Sequence, residues 1–518
     1  MFVAGRKEMQ LIDQYAIEEM GLPGAVLMEN AGARVAEEIT RCFADKKTNI
    51  IILAGSGNNG GDGFVAARRL FDMGYDPCLW VLADPSRIKG DARIHYDVLI
   101  KRGIPIFYWD EHSICGLQNM LERADVIVDA LLGTGAQGPA REPFDKVISL
   151  INEHFGKKWI LAIDIPSGVN SDNGRVEGVA VKATKTITFV CPKKGFFLNE
   201  GPAYIGEWQT ADISIPPMIA ETLELKMPEL ITRSLAAVSL PGRPKTGHKG
   251  TFGHVVVIGG SHSYIGAPIF TAKAALHSGA GLVTAAVPER IYPLAAAQLP
   301  EALFYPLTDH NGHFSEKAIE ELALKLDQYD AAAIGPGMGR FQGGEQWLAA
   351  LIAKFSGQPL IIDADALTLL RDNLHLIGSY PGDMIFTPHP GEMARLLNTT
   401  IKEVEINRLE VAKSFAKEHR LHLLLKGHRT IIATPAGDLY INPCGHDALG
   451  KGGSGDVLTG LIASFLAQGA KPLEAMISAS YLHAKAAEKK AETLSRYGVT
   501  PLDLIVGIKE MLNEMAQS

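Results

Sequence analysis

Short runs that are apolar at both odd and even positions, each leading through a glycine-containing turn into a helical stretch, limit the fold of this chain more than any other feature. Between Asn49 and about Pro192 these runs are NIIILA, PCLWVLA, ADVIVDALLG, WILAIDIPSG and KTITFVCP. A strand with one wet face alternates, whereas a strand apolar on both faces must be covered on both, as in a parallel sheet wrapped by helices. The segment before Asn49 reads as helix, because PGAVLMENAGARVAEEI places apolar residues at helical spacing. The alternation lapses between about Ile213 and Lys249, where Pro and polar residues gather. A second series starts at His254 with HVVVIGGS, GLVTAAVP, DAAAIGPGMG, PLIIDADAL and MIFTPHPGE. It continues with LHLLLKGHRTIIATPAGDLYIN, read as a hairpin, and GGSGDVLTGLIASFLAQGA, a glycine turn feeding a helix. With 518 residues, too many for one ordinary core, the chain is expected to form two α/β domains, residues 1–220 and 228–518.

Charge and cysteine usage narrow the partners. A net charge of -8 leaves no basic excess for a nucleic-acid footprint or an anionic membrane surface. Cys42, Cys78, Cys115, Cys191 and Cys444 are widely spaced and form no C-x-x-C clip, which fits reduced thiols. The opening MFVAGRKEMQLIDQYAIEEM carries charges where a signal peptide needs an apolar stretch, and no run reaches membrane-spanning length. The expectation is a cytoplasmic protein that acts on small molecules, with neither nucleic acid nor membrane as partner.

Gly55-Ser56-Gly57-Asn58-Asn59-Gly60 spells G-x-G-x-x-G behind a strand, the frame of a dinucleotide-binding loop. Two details argue against an ordinary nicotinamide-cofactor loop. The helix behind it is expected to open at Asp62, a carboxylate where a pyrophosphate would sit. The acidic residue expected about 20 positions on is misplaced, since Asp76 precedes the next strand and Asp84 follows it. The loop does offer Asn58, Asn59 and Asp62, and two other strand ends add Asp129, ahead of LLGTGAQGPAR, and Asp164 with Ser167 in DIPSG. Such oxygen-only donors suit a hard cation. Taken alone, Ser167, and with it Asn58, reads more readily as a helix cap or turn former. A carboxylate that ends a very apolar strand can take a raised pKa and act as a general acid or base.

In the second series GKGGSGDVLTG, Gly450 to Gly460, aims backbone N–H groups at one point ahead of a helix, an anion nest with Asp456 in the first turn. A carboxylate beside a phosphate site makes chemical sense when it takes the proton of a hydroxyl being phosphorylated. Lys426 and Arg429 in LLLKGHRTIIA suit an adenine-nucleotide cleft, or equally an exposed hairpin. His389 lies between two prolines in TPHPGE, and GPGMG at Gly335 to Gly339 permits close backbone approach to a ligand. No segment matches the P-loop.

Taken in order, GSGNNGGDG, GTG, DIPSG, GHKGTFGHVVVIGGS, GPGMG, DADAL, TPHPGE and GGSGDVLTG resemble the bifunctional NAD(P)H-hydrate repair family over nearly the whole chain. The resemblance implies an α/β fold, an N-terminal Rossmann-like three-layer domain followed by a ribokinase-like α/β domain. The first would be an epimerase for R and S hydrated NADH or NADPH. The second would be an ADP-dependent dehydratase acting on the S hydrate. Carried over by residue, Asn58, Asn59, Gly60, Gly61 and Asp62 with Gly133, Thr134, Gly135, Ala136, Gln137, Gly138 and Pro139 would hold the hydrate in the first domain. Asp164 would contact its nicotinamide end and shuttle the proton, and Asn59, Asp129 and Ser167 would bind potassium. In the second domain Ala267, Gly339, His389 and Asp456 would face the hydrate, with Asp456 as base. Lys426, Gly427, His428, Arg429, Thr430 and Gly455 would face ADP, accompanied by magnesium, for which Asp363 and Glu392 are the candidate ligands. A homo-oligomer is expected. Three residues depart from the family pattern: His446 and Asp447 in NPCGHDALGKGG, and His428 in LKGHRT, where a small residue is expected. These leave ADP against ATP open, as is NADH hydrate against NADPH hydrate. The alternative readings are a ribokinase-like small-molecule kinase fused to a dinucleotide-binding domain, and a non-catalytic dinucleotide sensor.

Overall fold

In the computed structural model, which describes residues 1–110, 112–216 and 218–516, the apolar runs become strands of two separate sheets. The chain divides into a first unit from Met1 to Pro228 and a second from Glu229 onward. The Pro228 carbonyl still belongs to the first unit, where it accepts a hydrogen bond from Val3 N at 2.8 Å.

The first unit holds β1 (Ile50–Ala54), β2 (Cys78–Val81), β3 (Ile106–Tyr108), β4 (Val126–Ala130), β5 (Trp159–Ile163), β6 (Lys185–Phe189) and β7 (Glu207–Ala211). They form one parallel sheet in the order β3-β2-β1-β4-β5-β6-β7. The two-parity pattern of β1 has the consequence expected of it. Ile50, Ile52 and Ala54 join one apolar cluster with the helices Arg6–Glu18, Gly24–Cys42, Asn58–Asp72 and Gly90–Lys101. Ile51 and Leu53 join another, with the helices Ile114–Arg123 and Phe144–Asn152. Strand order reverses between β1 and β4, and the crevice beyond their C-terminal ends is where open α/β sheets bind ligands.

The second unit contains β8 (Glu229–Leu230), β9 (His254–Ile258), β10 (Leu282–Pro288), β11 (Leu303–Leu307), β12 (Asp309–His310), β13 (His313–Phe314), β14 (Ala331–Ile334), β15 (Leu360–Ile362), β16 (Met384–Phe386), β17 (His422–Leu425), β18 (Ile431–Ala433) and β19 (Leu439–Ile441). The main sheet runs β11-β10-β9-β14-β15-β16-β17-β18-β19-β8, parallel from β11 to β17, with β18 antiparallel to both its neighbours. The expected hairpin is therefore a three-stranded meander. The order reverses between β9 and β14, so the glycine loops that follow these strands border this sheet's crevice. Val255 and Val257 face one large core with the helices Gly266–His277, Ser454–Ala467, Pro472–Leu494 and Pro501–Ala516.

The helix behind the first glycine loop corrects one expectation. It begins at Asn58, not at Asp62, and runs to Asp72 behind the N-cap Gly57. Glycines that read as loop form its first turns because neighbouring atoms leave no room for a Cβ. A Cβ on Gly60 would sit 2.1 Å from the Gly55 carbonyl oxygen, and one on Gly61 would sit 2.4 Å from Met28 Sδ. Asp62 is thereby moved into the second turn, where Asn59 and Asp62, three residues apart, share one helix face. No helix among the described residues is long and apolar enough to cross a membrane.

Candidate functional sites

A cavity of about 500 Å³ opens at the switch point of the first sheet. Of the residues the sequence singled out, Asn58, Asn59, Asp62, Gly133, Thr134, Gly135, Ala136 and Asp164 line it. Gly60 and Gly61 are buried in packing, while Gln137, Gly138 and Pro139 continue the second loop as exposed residues outside that lining. The helix Arg6–Glu18 contributes Met9 and Asp13 to the same wall.

Beside the cavity Asp129, Ser167 and Asn59 meet in a buried knot. Asp129 has no solvent exposure. Its Oδ2 accepts from Ser167 N at 2.8 Å, and its Oδ1 accepts from Ser167 Oγ at 2.6 Å and from Leu131 N at 3.2 Å. Burial pushes this carboxyl up to about 6, even though the Ser167 and Leu131 donors pull the other way. Ser167 Oγ in turn accepts from Leu132 N at 2.8 Å. Asn59 Nδ2 donates to Leu132 O at 3.1 Å, and among the described residues Asn59 Oδ1 is buried without a partner. A buried amide oxygen without a donor costs free energy unless something electropositive meets it.

Asp164 follows β5 in a left-handed conformation, φ 63°, rarely adopted by residues with a side chain. Its Oδ1 is held at 2.6 Å by Lys193 Nζ and at 3.0 Å by Thr188 Oγ1. Lys193 is wholly buried. Its ammonium also donates to Thr188 Oγ1 at 2.8 Å and to the carbonyls of Cys191 at 3.0 Å and Phe189 at 3.3 Å. Asp62 stands differently. Burial first, then the charges of Asp164 and Asp13, raise its carboxyl well above the ordinary value. Asp13 is itself pushed up to about 6, mainly by burial.

In the second unit Asp363, Lys426, Glu392, Asp456 and Gly455 form one cluster. Asp363, 1% exposed at the end of β15, accepts from Lys426 Nζ at 2.8 Å and from Thr459 Oγ1 at 2.6 Å. Burial opposes its charge, but the Lys426 ammonium outweighs that and holds its carboxyl below the usual range. Lys426 Nζ lies 3.9 Å from Glu392 Oε2, and a Cβ on Gly455 would come within 3.3 Å of it. Asp456 occupies the first turn of the helix Ser454–Ala467. Burial, and then the nearby charges of Asp363 and Glu392 against that of Lys426, raise its carboxyl to about 7. The loop after β14 joins from the far side, where Gly339 N donates to Asp365 Oδ2 at 2.9 Å. A Cβ on Gly339 would lie 3.3 Å from Ser261 Oγ, a buried hydroxyl without a partner, and Ala267 packs against Gly337.

His389 caps the helix Pro390–Leu396, its Nδ1 accepting from Gly391 N at 3.0 Å, while Glu392 Oε2 accepts from His389 N at 2.8 Å. The ring is about half exposed, with Nε2 3.4 Å from Glu392 Oε1. The turn after β17 is built on Arg408, whose Nη2 donates to the carbonyls of Leu425, Lys426 and Arg429 at 3.1–3.2 Å. A Cβ on Gly427 would sit 2.5 Å from that nitrogen, which explains the glycine. His428 is exposed, and Arg429 keeps a buried Nε without a partner. Thr430 O accepts from Asn442 N at 2.9 Å. His446 caps the short helix Asp447–Leu449, and Asp447 pairs with Arg496.

Residues 255–510 match the family model described as NAD(P)H-hydrate dehydratase, and residues 24–195 match that of the YjeF-related protein N-terminus. The bifunctional NAD(P)H-hydrate repair enzyme of Moorella thermoacetica is 38% identical over 100% of this chain and 98% of its own length. The chain belongs to the bifunctional NAD(P)H-hydrate repair family. The Thermofilum pendens member of that family is 34% identical over 100% of this chain and 97% of its own. Among solved structures, the ADP/ATP-dependent NAD(P)H-hydrate dehydratase from Bacillus subtilis, co-crystallised with ATP and Mg2+, matches at 32% identity over 55% of this chain and 98% of that one, with a TM-score of 0.49.

In this member of the NAD(P)H-hydrate repair family, sequence reasoning missed Asp13, Lys193, Arg408 and Thr459. Only Asp13 left a usable signal. It lies on the same helical stripe as Met9, Ile12 and Ala16, all buried, so an acid faces the core side of its helix. Lys193 is one of two adjacent lysines after β6, and nothing in CPKKG tells which of them turns inward.

Proposed function

We propose that residues 1–220 interconvert the R and S epimers of hydrated NADH and NADPH. Residues 228–518 dehydrate the S epimer to NAD(P)H while converting ADP to AMP and phosphate. What carries this reading is one chain of this family holding a carboxyl-walled cavity at the first switch point and, in its second unit, a carboxyl raised to about 7 beside a glycine nest and a lysine.

The hydrate bears a hydroxyl on the carbon next to the ring nitrogen. Reversible opening of its C–O or C–N bond erases the stereocentre, and Asp164, anchored in the cavity wall, shuttles the proton. The loops Asn58 to Asp62 and Gly133 to Pro139 hold the substrate. Asn59, Asp129 and Ser167 fit a potassium ion, since Asn59 Oδ1 is buried without a donor and Asp129 supplies the charge. Bound there, the ion would supply a fixed positive charge beside Asn59, Asp129 and Ser167 in the cavity wall. Replacing potassium with a bulky organic cation is expected to slow epimerisation several-fold and leave dehydration intact. Equal epimerisation rates in both buffers would remove the ion from the site.

In the second unit Asp456 takes the hydroxyl proton as the phosphoryl group transfers, and the N–H groups around Gly455 with Lys426 meet the charge on that group. The resulting phosphate ester is a good leaving group, which the nitrogen lone pair expels. Ala267, Gly339 and His389 face the hydrate, and the turn Lys426 to Thr430 faces the nucleotide, ADP with magnesium. Asp363 and Glu392 are the candidate magnesium ligands; each Asp363 oxygen accepts one hydrogen bond, from Lys426 or from Thr459, and keeps a further lone pair. A homo-oligomer in the cytoplasm completes the proposal.

Asp164→Asn separates the two activities. Given mixed hydrate epimers and ADP, the variant is expected to consume the S form at the normal rate and to convert R to S about 100-fold more slowly. Conversion of R at the unaltered rate would remove Asp164 from the chemistry.

A further inference from the structure

The epimerase cavity contains two carboxyls in opposite circumstances. Asp164 is ion-paired at 2.6 Å to Lys193, an ammonium with no solvent exposure. Asp62 is 9% exposed, and among the described residues no cation or hydrogen-bond donor meets its carboxyl. The charged groups around it are Asp13 from the helix Arg6–Glu18, Asp91 at the start of Gly90–Lys101, and Asp164 after β5, all lining the same cavity. Glu29, on the packed helix Gly24–Cys42, is engaged by Arg68, Arg69 and His95 instead. An ion pair favours the carboxylate, whereas burial among like charges favours the acid, and two carboxyls set apart in this way divide acid from base work.

We propose that Asp62 donates a proton to the departing hydroxyl of the hydrate and that Asp164 accepts one from the returning water. Lys193 and Asp13 are the positioning residues that keep the two in those roles. This assignment rests on the epimerase reading above. In the step, the Asp62 proton passes to the hydroxyl oxygen and the C–O bond breaks with its electron pair on that oxygen, so that water leaves. The lone pair of the ring nitrogen closes a C=N bond, which carries the positive charge and makes the carbon planar. Water adding to the opposite face forms the new C–O bond and returns the pair to nitrogen. Its surplus proton goes to Asp164. Transfer of one proton from Asp164 to Asp62 through solvent resets the site, and the reverse reaction retraces these steps.

The test uses the full-length chain without nucleotide, so that hydrate is not consumed, and follows R-to-S exchange by chromatography across a range of pH. Asp62→Asn is expected to slow exchange by about 100-fold or more, with hydrate affinity kept within a few-fold in equilibrium dialysis. Asp13→Asn removes a like charge from Asp62, so the alkaline limb of the rate profile moves to lower pH. Lys193→Met removes the cation that holds Asp164 Oδ1, so kcat for exchange falls while KM stays within a few-fold, and Lys193→Arg restores part of the rate. Exchange by Asp62→Asn at the wild-type rate would overturn the proposal. So would an Asp13→Asn variant whose rate falls equally at every pH, or a Lys193→Met variant that changes KM alone, the marks of a merely structural role. A wild-type chain that does not exchange the epimers at all would instead overturn the epimerase reading itself.

Discussion

Asp456→Asn is expected to lower nucleotide-driven dehydration by about 10²–10⁴-fold, the range associated with losing a positioned general base, while R-to-S exchange continues unchanged. The substitution keeps the shape of the side chain and its place in the first turn of Ser454–Ala467, so the glycine nest beside it is preserved. Only the ability to take a proton is lost. The same carboxyl sets the pH dependence. A base works when ionised, and burial together with Asp363 and Glu392 raises Asp456 to about 7. The kcat/KM for dehydration should therefore fall as pH drops below about 7 and level off above it. Steady-state rates across that range check both statements. A flat profile, or an Asn variant with ordinary turnover, would show that another group takes the proton.

Lys426→Met is expected to be costly twice over. Among the described residues its ammonium is the one cation bonded to the Asp363 carboxylate, which is 1% exposed. Stranding a buried charge in this way costs about 3–5 kcal/mol. Asp363 is held below its usual range in the folded state, so it contributes stability above the unfolded value that is lost as pH falls through the folded one. In the Met variant Asp363 loses that support and takes a proton more readily, so the penalty is full at neutral pH and shrinks in acid. Denaturant unfolding of variant and wild type at two pH values measures this directly. The double variant Lys426→Met with Asp363→Asn should recover much of the lost stability, because no unpaired charge remains. It should recover no dehydration, since Lys426 is also proposed to meet the phosphoryl group and lowers the pKa of Asp456. Restored dehydration in the double variant would assign Lys426 a structural role alone.

The strands that build both crevices were legible because they are buried on two faces and so carry two-parity apolar runs. β1, with all five residues buried, shows this plainly. β7, Glu-Trp-Gln-Thr-Ala, lies at the edge of the sheet with one buried residue, and its alternation is too polar to stand out. β3 is three residues long and half exposed at the opposite edge. The start of the helix behind β1 was misread because glycine is a poor helix former, whereas here each glycine is needed for close approach. Site residues on strand ends were readable for the same reason as the strands: Asp129, Asp164 and Asp363 each follow a buried run. Their partners were not, because Lys193 reaches Asp164 from 29 positions away and Thr459 reaches Asp363 from 96. Such contacts are properties of sheet order, which no local pattern encodes.

The central claim is that one chain both equilibrates the hydrate epimers and removes their water at the expense of a nucleotide. It is tested most directly by incubating the full-length protein with a mixture of R and S NADPH hydrate and following the return of reduced-nicotinamide absorbance with ADP or with ATP. The expected result is recovery of both epimers with ADP, the R form disappearing through the S form, and AMP and phosphate appearing in step. Recovery with neither nucleotide would contradict the dehydratase, and recovery that stops once the S form is exhausted would contradict the epimerase.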